Sequence, residues 1–113
     1  AHSIKSHVPS LFEGKLPDFN FGTFDGKSCG LPLEEAFSKV MVEFPEYSFV
    51  FNGRFKGGYT TRHYGRPTEN IHAVQLELSQ ATYMNEETGK YAGEKAANVK
   101  AVLARLLQAY LSL

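Results

Sequence analysis

Residues 72–79, His-Ala-Val-Gln-Leu-Glu-Leu-Ser, decide how this chain folds. Their alternation predicts a strand with one face made of His72, Val74, Leu76 and Leu78 and the other made of Ala73, Gln75, Glu77 and Ser79. A strand covered by helices is normally apolar on both faces, and Gln75 and Glu77 break that rule. They indicate either a functional group on a buried strand or an edge strand with one face in water.

Glu77 is the residue on which these alternatives differ. A buried carboxylate needs a partner or a purpose. One such purpose is general base catalysis, because burial raises the pKa of a carboxyl group toward the pH at which an enzyme works. On an edge strand, Gln75 and Glu77 would simply meet water.

Two amphipathic helices surround this strand. The first is predicted to begin near Pro32, which is favoured in a first helical turn, and to stop at Pro45. The second is predicted to begin near Glu94, with a buried stripe of Ala96, Val99, Val102, Leu103, Leu106, Leu107 and Tyr110. Tyr47–Phe51 is aromatic and β-branched and predicts another strand. The order helix, strand, strand, helix predicts an α/β layer with a sheet of two or three strands.

The remaining segments are predicted as loops. Residues 1–30 are rich in glycine, proline, serine and aspartate, with one short extended patch around Asp18–Phe21 and no strand at the start of the chain. Residues 52–67 are predicted as a glycine- and arginine-rich loop, and residues 85–93 as a polar turn region.

Composition narrows the class of protein. The 113 residues fit a single domain, residues 1–113, and 42% hydrophobic and 21% charged residues are typical of a folded, soluble chain. Twelve basic and twelve acidic residues give no net charge and no basic stripe, which argues against a nucleic-acid partner. No apolar run is long enough for a membrane span, which argues against a membrane partner. The single cysteine, Cys29, fits a reducing compartment.

The most unusual loop is residues 52–67, which hold three arginines, a lysine, two tyrosines and a histidine between two predicted strands. Guanidinium groups bind carboxylates bidentately, and glycines let the backbone approach a ligand closely. The composition predicts an anion-binding loop at a sheet edge. The alternative is a solvated basic loop that pairs with Glu13, Asp25 or Glu69.

Two other patterns carry little chemistry by themselves. In the segment 22–28, three residues separate Gly22 from Gly26, whereas a phosphate-binding loop requires four. This segment therefore predicts a structural turn, with Cys29 as a small buried residue beside it. The four histidines include no pair at metal-ligand spacing, so spacing alone gives a weak case for zinc.

Several longer motifs together resemble the N-formylglutamate amidohydrolases. They are HSIKS (2–6), FEG (12–14), LPDFN (16–20), GT (22–23), GKSC (26–29), NGRFKGGY (52–59), RHYG (62–65) and HAVQLE (72–77). The likeness runs from Ala1 to about Glu86, while the last helix is compatible but not specific. The resemblance implies a bacterial, cytoplasmic enzyme that hydrolyses N-formyl-L-glutamate to formate and L-glutamate in histidine degradation.

The resemblance also implies a fold and a site. The fold is part of an α/β/α sandwich around a mixed sheet, similar to zinc carboxypeptidases and their phosphorylase/hydrolase-like relatives. His2 is implied as a zinc ligand and Glu77 as the general base. Arg54 and Arg62 are implied to clamp the substrate carboxylates, and Tyr59 or His63 to donate to the oxyanion.

The remaining zinc ligands, a histidine and an acidic residue, would precede Ala1. The chain is therefore expected to be the carboxyl-terminal portion of a larger enzyme, with the missing amino-terminal part as its partner. Two alternatives stay open. One is a non-catalytic fragment or binding module for an acidic metabolite, and the other is a deacylase of another N-acyl amino acid.

Overall fold

The central sheet has four strands in the order β1-β4-β2-β3. The computed structural model describes all 113 residues and places these strands at His2–Ile4 (β1), Phe19–Gly22 (β2), Phe49–Phe51 (β3) and Gln75–Ser79 (β4). β4 runs parallel to β1 and antiparallel to β2, and β2 runs parallel to β3. The mixed sheet of an α/β fold is thus confirmed.

Three helices and a small hairpin complete the chain. The helices are α1 (Leu31–Val42), α2 (Tyr59–Tyr64) and α3 (Gly93–Leu111), and the hairpin strands are β5 (Met84–Asn85) and β6 (Lys90–Tyr91). Single 3₁₀ turns occupy Pro67–Glu69 and Gln80–Thr82. None of these helices combines the length and the apolar character that crossing a membrane requires.

The hydrophobic core lies between the sheet and the helices α1 and α3. Phe19 and Phe21 of β2 and Leu78 of β4 project from one face of the sheet into this core, where the two helices pack against each other. The helical members of the core are Leu33, Phe37, Val40 and Met41 of α1 and Val99, Val102 and Leu106 of α3. The chain therefore contains the sheet and one helical layer of the expected sandwich.

The opposite face of the sheet is polar, yet it is buried. Asn20 of β2 and Glu77 and Ser79 of β4 are all less than 9% exposed on this side. The segment before β2 lies next to it, because the Asn20 side chain donates to the carbonyl oxygen of Pro17 at 2.8 Å. A buried strand with a polar face agrees with the first of the two interpretations of β4, and the edge-strand interpretation is wrong.

Three expectations about local structure are wrong. The extended patch around Asp18–Phe21 is confirmed as β2, but the start of the chain holds a further strand, β1, so the sheet has four strands and not two or three. These strands are three and four residues long, and their pairing with the distant β4, not local propensity, makes them extended. The loop 52–67 contains α2, whereas the polar turn region 85–93 is confirmed, because residues 86–89 form the turn of the β5–β6 hairpin. Leu107 and Tyr110, assigned to the buried stripe of the last helix, are 64% and 40% exposed and line a cavity.

Gly22 allows the chain to pass closely over the end of β2. A Cβ atom at Gly22 would lie 2.6 Å from the backbone carbonyl carbon of Lys56, which is too close for any side chain. Gly22→Ala should therefore displace the 56–58 segment and destabilise the chain by about 1–3 kcal/mol in urea unfolding.

Gly93, at the start of α3, is the matched control because a Cβ there meets no atom within 4 Å. Gly93→Ala should be neutral or stabilising by up to about 1 kcal/mol. Equal free energies of unfolding for the two variants would contradict the close approach at Gly22.

Candidate active site

Glu77 lies in the middle of β4 on the polar face of the sheet. Its residue is 7% exposed, and no hydrogen bond from the chain reaches its carboxylate. Burial raises the pKa of Glu77, and the positive charges of His2 and of the amino terminus partly oppose that rise. A glutamate whose pKa is raised by burial accepts and returns a proton at a pH closer to neutral than an exposed glutamate does.

His2 is the neighbour of Glu77 across the parallel pairing of β1 with β4. The register places His2 opposite Glu77 and Ser3 opposite Leu78, so the imidazole of His2 and the carboxylate project from the same face. His2 is exposed, whereas Glu77 is buried. The fold thus brings together the two residues that the sequence suggested as zinc ligand and general base.

Asn20 stands opposite Glu77 on the other side, across the antiparallel pairing of β2 with β4. Its amide nitrogen donates to the carbonyl oxygens of Pro17 at 2.8 Å and Glu77 at 3.1 Å, while its buried Oδ1 has no partner. The sequence did not single out Asn20, because only the register of β2 shows that it faces Glu77. Asn20 fixes the backbone of β4 at the catalytic candidate.

Side-chain hydrogen bonds tie β1 and the residues after it to the 80–91 segment. The hydroxyl of Ser3 bonds that of Tyr83 at 2.7 Å. Glu86 accepts from the backbone N–H of Ser6 at 2.6 Å and from its hydroxyl at 2.5 Å. Burial opposes ionisation of Glu86, but these bonds and the charge of His7 lower its pKa. They hold the strand that carries His2 in register with β4.

The cationic loop is held against the same strand. Gln75, two residues before Glu77, accepts from the N–H of Gly58 at 2.8 Å, just before α2 begins. Arg62 on α2 donates to the carbonyl oxygen of Gly58 at 3.4 Å. The rings of Tyr59 and His63 stack with their centroids 4.9 Å apart. Arg62, Tyr59 and His63 therefore form one group that Gln75 ties to β4.

Arg54 forms no hydrogen bond or ion pair with this group. Its Nε donates to the carbonyl oxygen of Leu11 at 2.7 Å, and its guanidinium lies 5.9 Å from the centroid of the Phe55 ring. The carboxylates of Glu13 and Glu69 do not pair with it either. In the loop as a whole, Lys56 pairs with Asp25 at 3.4 Å and Arg66 with Glu69 at 3.8 Å. The loop is thus partly an ion-paired surface and partly a set of unpaired cations.

His72 and Cys29 serve the fold. Nδ1 of His72 accepts from the N–H of Gly30 at 2.9 Å, and Nε2 lies 3.1 Å from Oδ1 of Asn70. Burial, with a smaller contribution from Glu34, raises the pKa of Cys29 to about 11, so its thiol stays protonated and unreactive. The expectation that Cys29 is a small buried residue beside a structural turn is confirmed.

The chain by itself does not assemble a complete metal centre. No group of three or more histidine, cysteine, aspartate or glutamate side chains is placed to hold a metal ion. A catalytic zinc takes about three protein ligands. The pair of His2 and Glu77 fits one ligand and one base at the edge of such a centre.

Comparison with known proteins identifies the family of this chain. The family model for N-formylglutamate amidohydrolase matches residues 1–84, which include β1 to β4 and every residue of the candidate site. The chain belongs to the N-formylglutamate amidohydrolase family. The match ends before α3, which has the generic pattern of a packing helix.

Individual members of the family are similar over nearly the whole chain. It is 58% identical over 113 residues to the N-formylglutamate deformylase of Pseudomonas putida and 51% identical to that of Pseudomonas aeruginosa. In both comparisons 99% of this chain aligns with 42% of the relative, so the chain spans about two fifths of their length. The crystal structure of N-formylglutamate amidohydrolase from Ralstonia eutropha JMP134 superposes with a TM-score of 0.72 at 27% identity, covering 88% of this chain and 36% of that one.

The charge of His2 should have a measurable effect on the pKa of Glu77. Because positive charge at His2 opposes the rise in the pKa of Glu77, His2→Gln should raise that pKa further. The titration can be followed by NMR on chain labelled at the glutamate carboxyl carbons.

His7→Gln is the control, since His7 acts on Glu86 and not on Glu77. It should raise the pKa of Glu86 and leave the titration of Glu77 unchanged. An unchanged titration of Glu77 in His2→Gln would show that the two side chains do not interact.

Proposed function

We propose that this chain is part of a zinc-dependent enzyme that hydrolyses N-formyl-L-glutamate to formate and L-glutamate in histidine degradation. The observation that carries the proposal is the register of His2 with Glu77 within a chain of this family. Two relatives that are 58% and 51% identical bear the name N-formylglutamate deformylase, which supports the choice of substrate.

Glu77 is proposed as the general base. In its ionised form it accepts a proton from the attacking water, and it can then return that proton to the departing amine. Its raised pKa places the proton exchange closer to neutral pH than an exposed glutamate would. The carboxylate is not held by any other side chain, so it is available for the water.

The group on α2 is proposed to bind and orient the substrate. Arg62 offers a planar fork of donors that suits a carboxylate. Tyr59 or His63, stacked on each other, donates to the oxygen that becomes negative in the transition state. Arg54 is proposed to meet the other carboxylate, for which it would have to release the carbonyl oxygen of Leu11.

His2 is proposed as one ligand of a divalent metal, with the other ligands supplied by the rest of the protein. A bound zinc would polarise the formyl oxygen and make water more acidic. A histidine beside a buried carboxylate has the chemistry of a zinc ligand next to a base, and this supports the assignment.

We propose that the chain is the carboxyl-terminal portion of the larger enzyme. It spans 42% of the length of its relatives, which leaves room for a further layer and further ligands. An apolar cavity of about 490 Å³ opens between β4 and α3, lined in part by Leu76, Leu103, Leu107 and Tyr110. Apolar surface of this kind favours cover by another part of the protein. The single, reduced Cys29 supports a cytoplasmic location.

Replacement of Glu77 separates catalysis from stability. In the longer protein, Glu77→Gln should abolish turnover of N-formyl-L-glutamate because an amide cannot act as the base. The pKa of Glu77 is higher in the folded chain than in the unfolded chain, so the protonated carboxyl group favours the folded state. This contribution to stability is present at low pH and is lost as the pH rises through the pKa of the folded state. Glu77→Gln should therefore keep or raise Tm at neutral pH.

Glu46→Gln, at an exposed carboxylate, is the control and should leave both turnover and Tm unchanged. Full turnover by Glu77→Gln would remove Glu77 from the mechanism. Binding of L-glutamate without any turnover in the parent would favour the binding module. Faster turnover of another N-acyl amino acid would favour the broader deacylase.

A further inference from the structure

Phe24 has an unusual backbone conformation for a bulky residue. Its φ is +50°, and Asp25 follows with a φ of +53°. Positive φ is uncommon outside glycine, asparagine and aspartate, and such strain persists only where the surroundings enforce it. Phe24 is also only partly buried, so burial of its ring does not by itself account for the strain.

Thr23 and Asn52 enforce this conformation. Thr23 is fully buried, and Oδ1 of Asn52 accepts from its backbone N–H at 2.9 Å and from that of Asp25 at 3.2 Å. The hydroxyl of Thr23 accepts from the side-chain amide of Asn52 at 2.8 Å and donates to Glu34 at 2.6 Å. The N–H of Phe24 itself donates to the carbonyl oxygen of Lys56 at 2.7 Å. The turn is thus fixed on both sides of Phe24.

Two cationic side chains lie over the phenyl ring of Phe24. Nζ of Lys27 lies 5.1 Å from the centroid of the Phe24 ring, and Cζ of Arg62 lies 5.9 Å from it. Both distances fall within the range of a cation–π interaction. Neither Lys27 nor Arg62 forms an ion pair, whereas Lys56 and Arg66 are paired with acidic residues.

This pair of cations lies at the end of the sheet that holds Glu77. Phe24 follows β2 by two residues, and the last residue of β2, Gly22, is paired with Gln75. Gln75 in turn holds Gly58, to whose carbonyl oxygen Arg62 donates. Gln75 and Glu77 project from the same face of β4 at a spacing of roughly 7 Å.

We propose that Phe24 is a positioning residue that holds Lys27 and Arg62 together as a receptor for one carboxylate group of the acidic substrate. Lys27 and Arg62 lie 5.1 Å and 5.9 Å from the centroid of one ring, and a carboxylate bound by both would offset the repulsion between their positive charges. Phe24 limits the freedom of both side chains before the substrate arrives, which lowers the entropy lost on binding. The strained turn places the Phe24 ring close to Lys27 and Arg62.

This inference rests on the proposed function and deepens it, since it adds Lys27 to the substrate site and gives Phe24 a role there. It predicts an effect on KM more than on kcat, because the receptor binds a part of the substrate that does not react. A residue that only stabilised the fold would not separate the two constants.

The test compares two variants at Phe24 in the longer protein. Phe24→Asn removes the ring but suits a positive φ, so Tm should not fall while KM for N-formyl-L-glutamate rises roughly three- to tenfold. The value of kcat should change by less than about twofold. Phe24→Tyr keeps the ring and should restore the parental KM.

Double variants and a matched control complete the test. Lys27→Gln alone should also raise KM, and its effect should be smaller in the Phe24→Asn background, since residues that act together are not additive. Phe49→Leu removes a partly exposed ring that packs on Phe51 and carries no cation, so KM should not change. An unchanged KM in Phe24→Asn, or an equal rise in Phe24→Tyr, would overturn the inference.

Binding of L-glutamate, measured by calorimetry, distinguishes this failure from failure of the proposed function. If the parent does not turn over N-formyl-L-glutamate but still binds L-glutamate more tightly than Phe24→Asn does, that result would support the carboxylate receptor and contradict the proposed reaction. If the parent turns over the substrate and the variants do not differ from it in KM, only the proposed receptor is contradicted. A parent with neither turnover nor binding overturns both.

Discussion

The pairing of β4 with β1 and β2, two strands distant in sequence, determines which side chains meet on the polar face of the sheet. It sets Glu77 between His2 on one side and Asn20 on the other. A shift of one residue in either pairing would turn these side chains to the helical face. Because the register is fixed, three residues separated by up to 75 positions share one surface. Hydrogen bonds from Ser3 and Ser6 to the 80–91 segment hold the outer strand in this register.

The two faces of the sheet contribute to the stability of the fold in opposite directions. The phenylalanines of β2 pack with α1 and α3, and this apolar burial stabilises the fold. The other face buries a carboxylate without a partner and the unpaired oxygens of Asn20 and Ser79, an arrangement that costs stability. Such a cost is expected where groups are kept free to act on a ligand. The polar face therefore costs stability at the place where the chemistry is proposed.

Sequence patterns predicted the elements that depend on local periodicity and missed those that depend on distant pairing. The helix α1 and the apolar residues Leu76 and Leu78 of β4 follow from spacing and alternation and are present in the structure, but the strand begins at Gln75 and not at His72. β1 is only three residues long, and no local signal separates His2–Ile4 from a loop. For the site, polarity singled out Glu77 and family resemblance assigned His2. Asn20 and Phe24 could not be predicted, because register and a positive φ at a phenylalanine are properties of the folded chain.

We propose separate roles for the neighbouring residues His2 and Glu77, one as a metal ligand and one as a base. The most direct measurement is the zinc content of the longer protein and its variants by elemental analysis after dialysis. We expect about one zinc per chain in the parent and in Glu77→Gln, and a large loss of zinc in His2→Ala. Full zinc content in His2→Ala, or loss of zinc in Glu77→Gln, would contradict it.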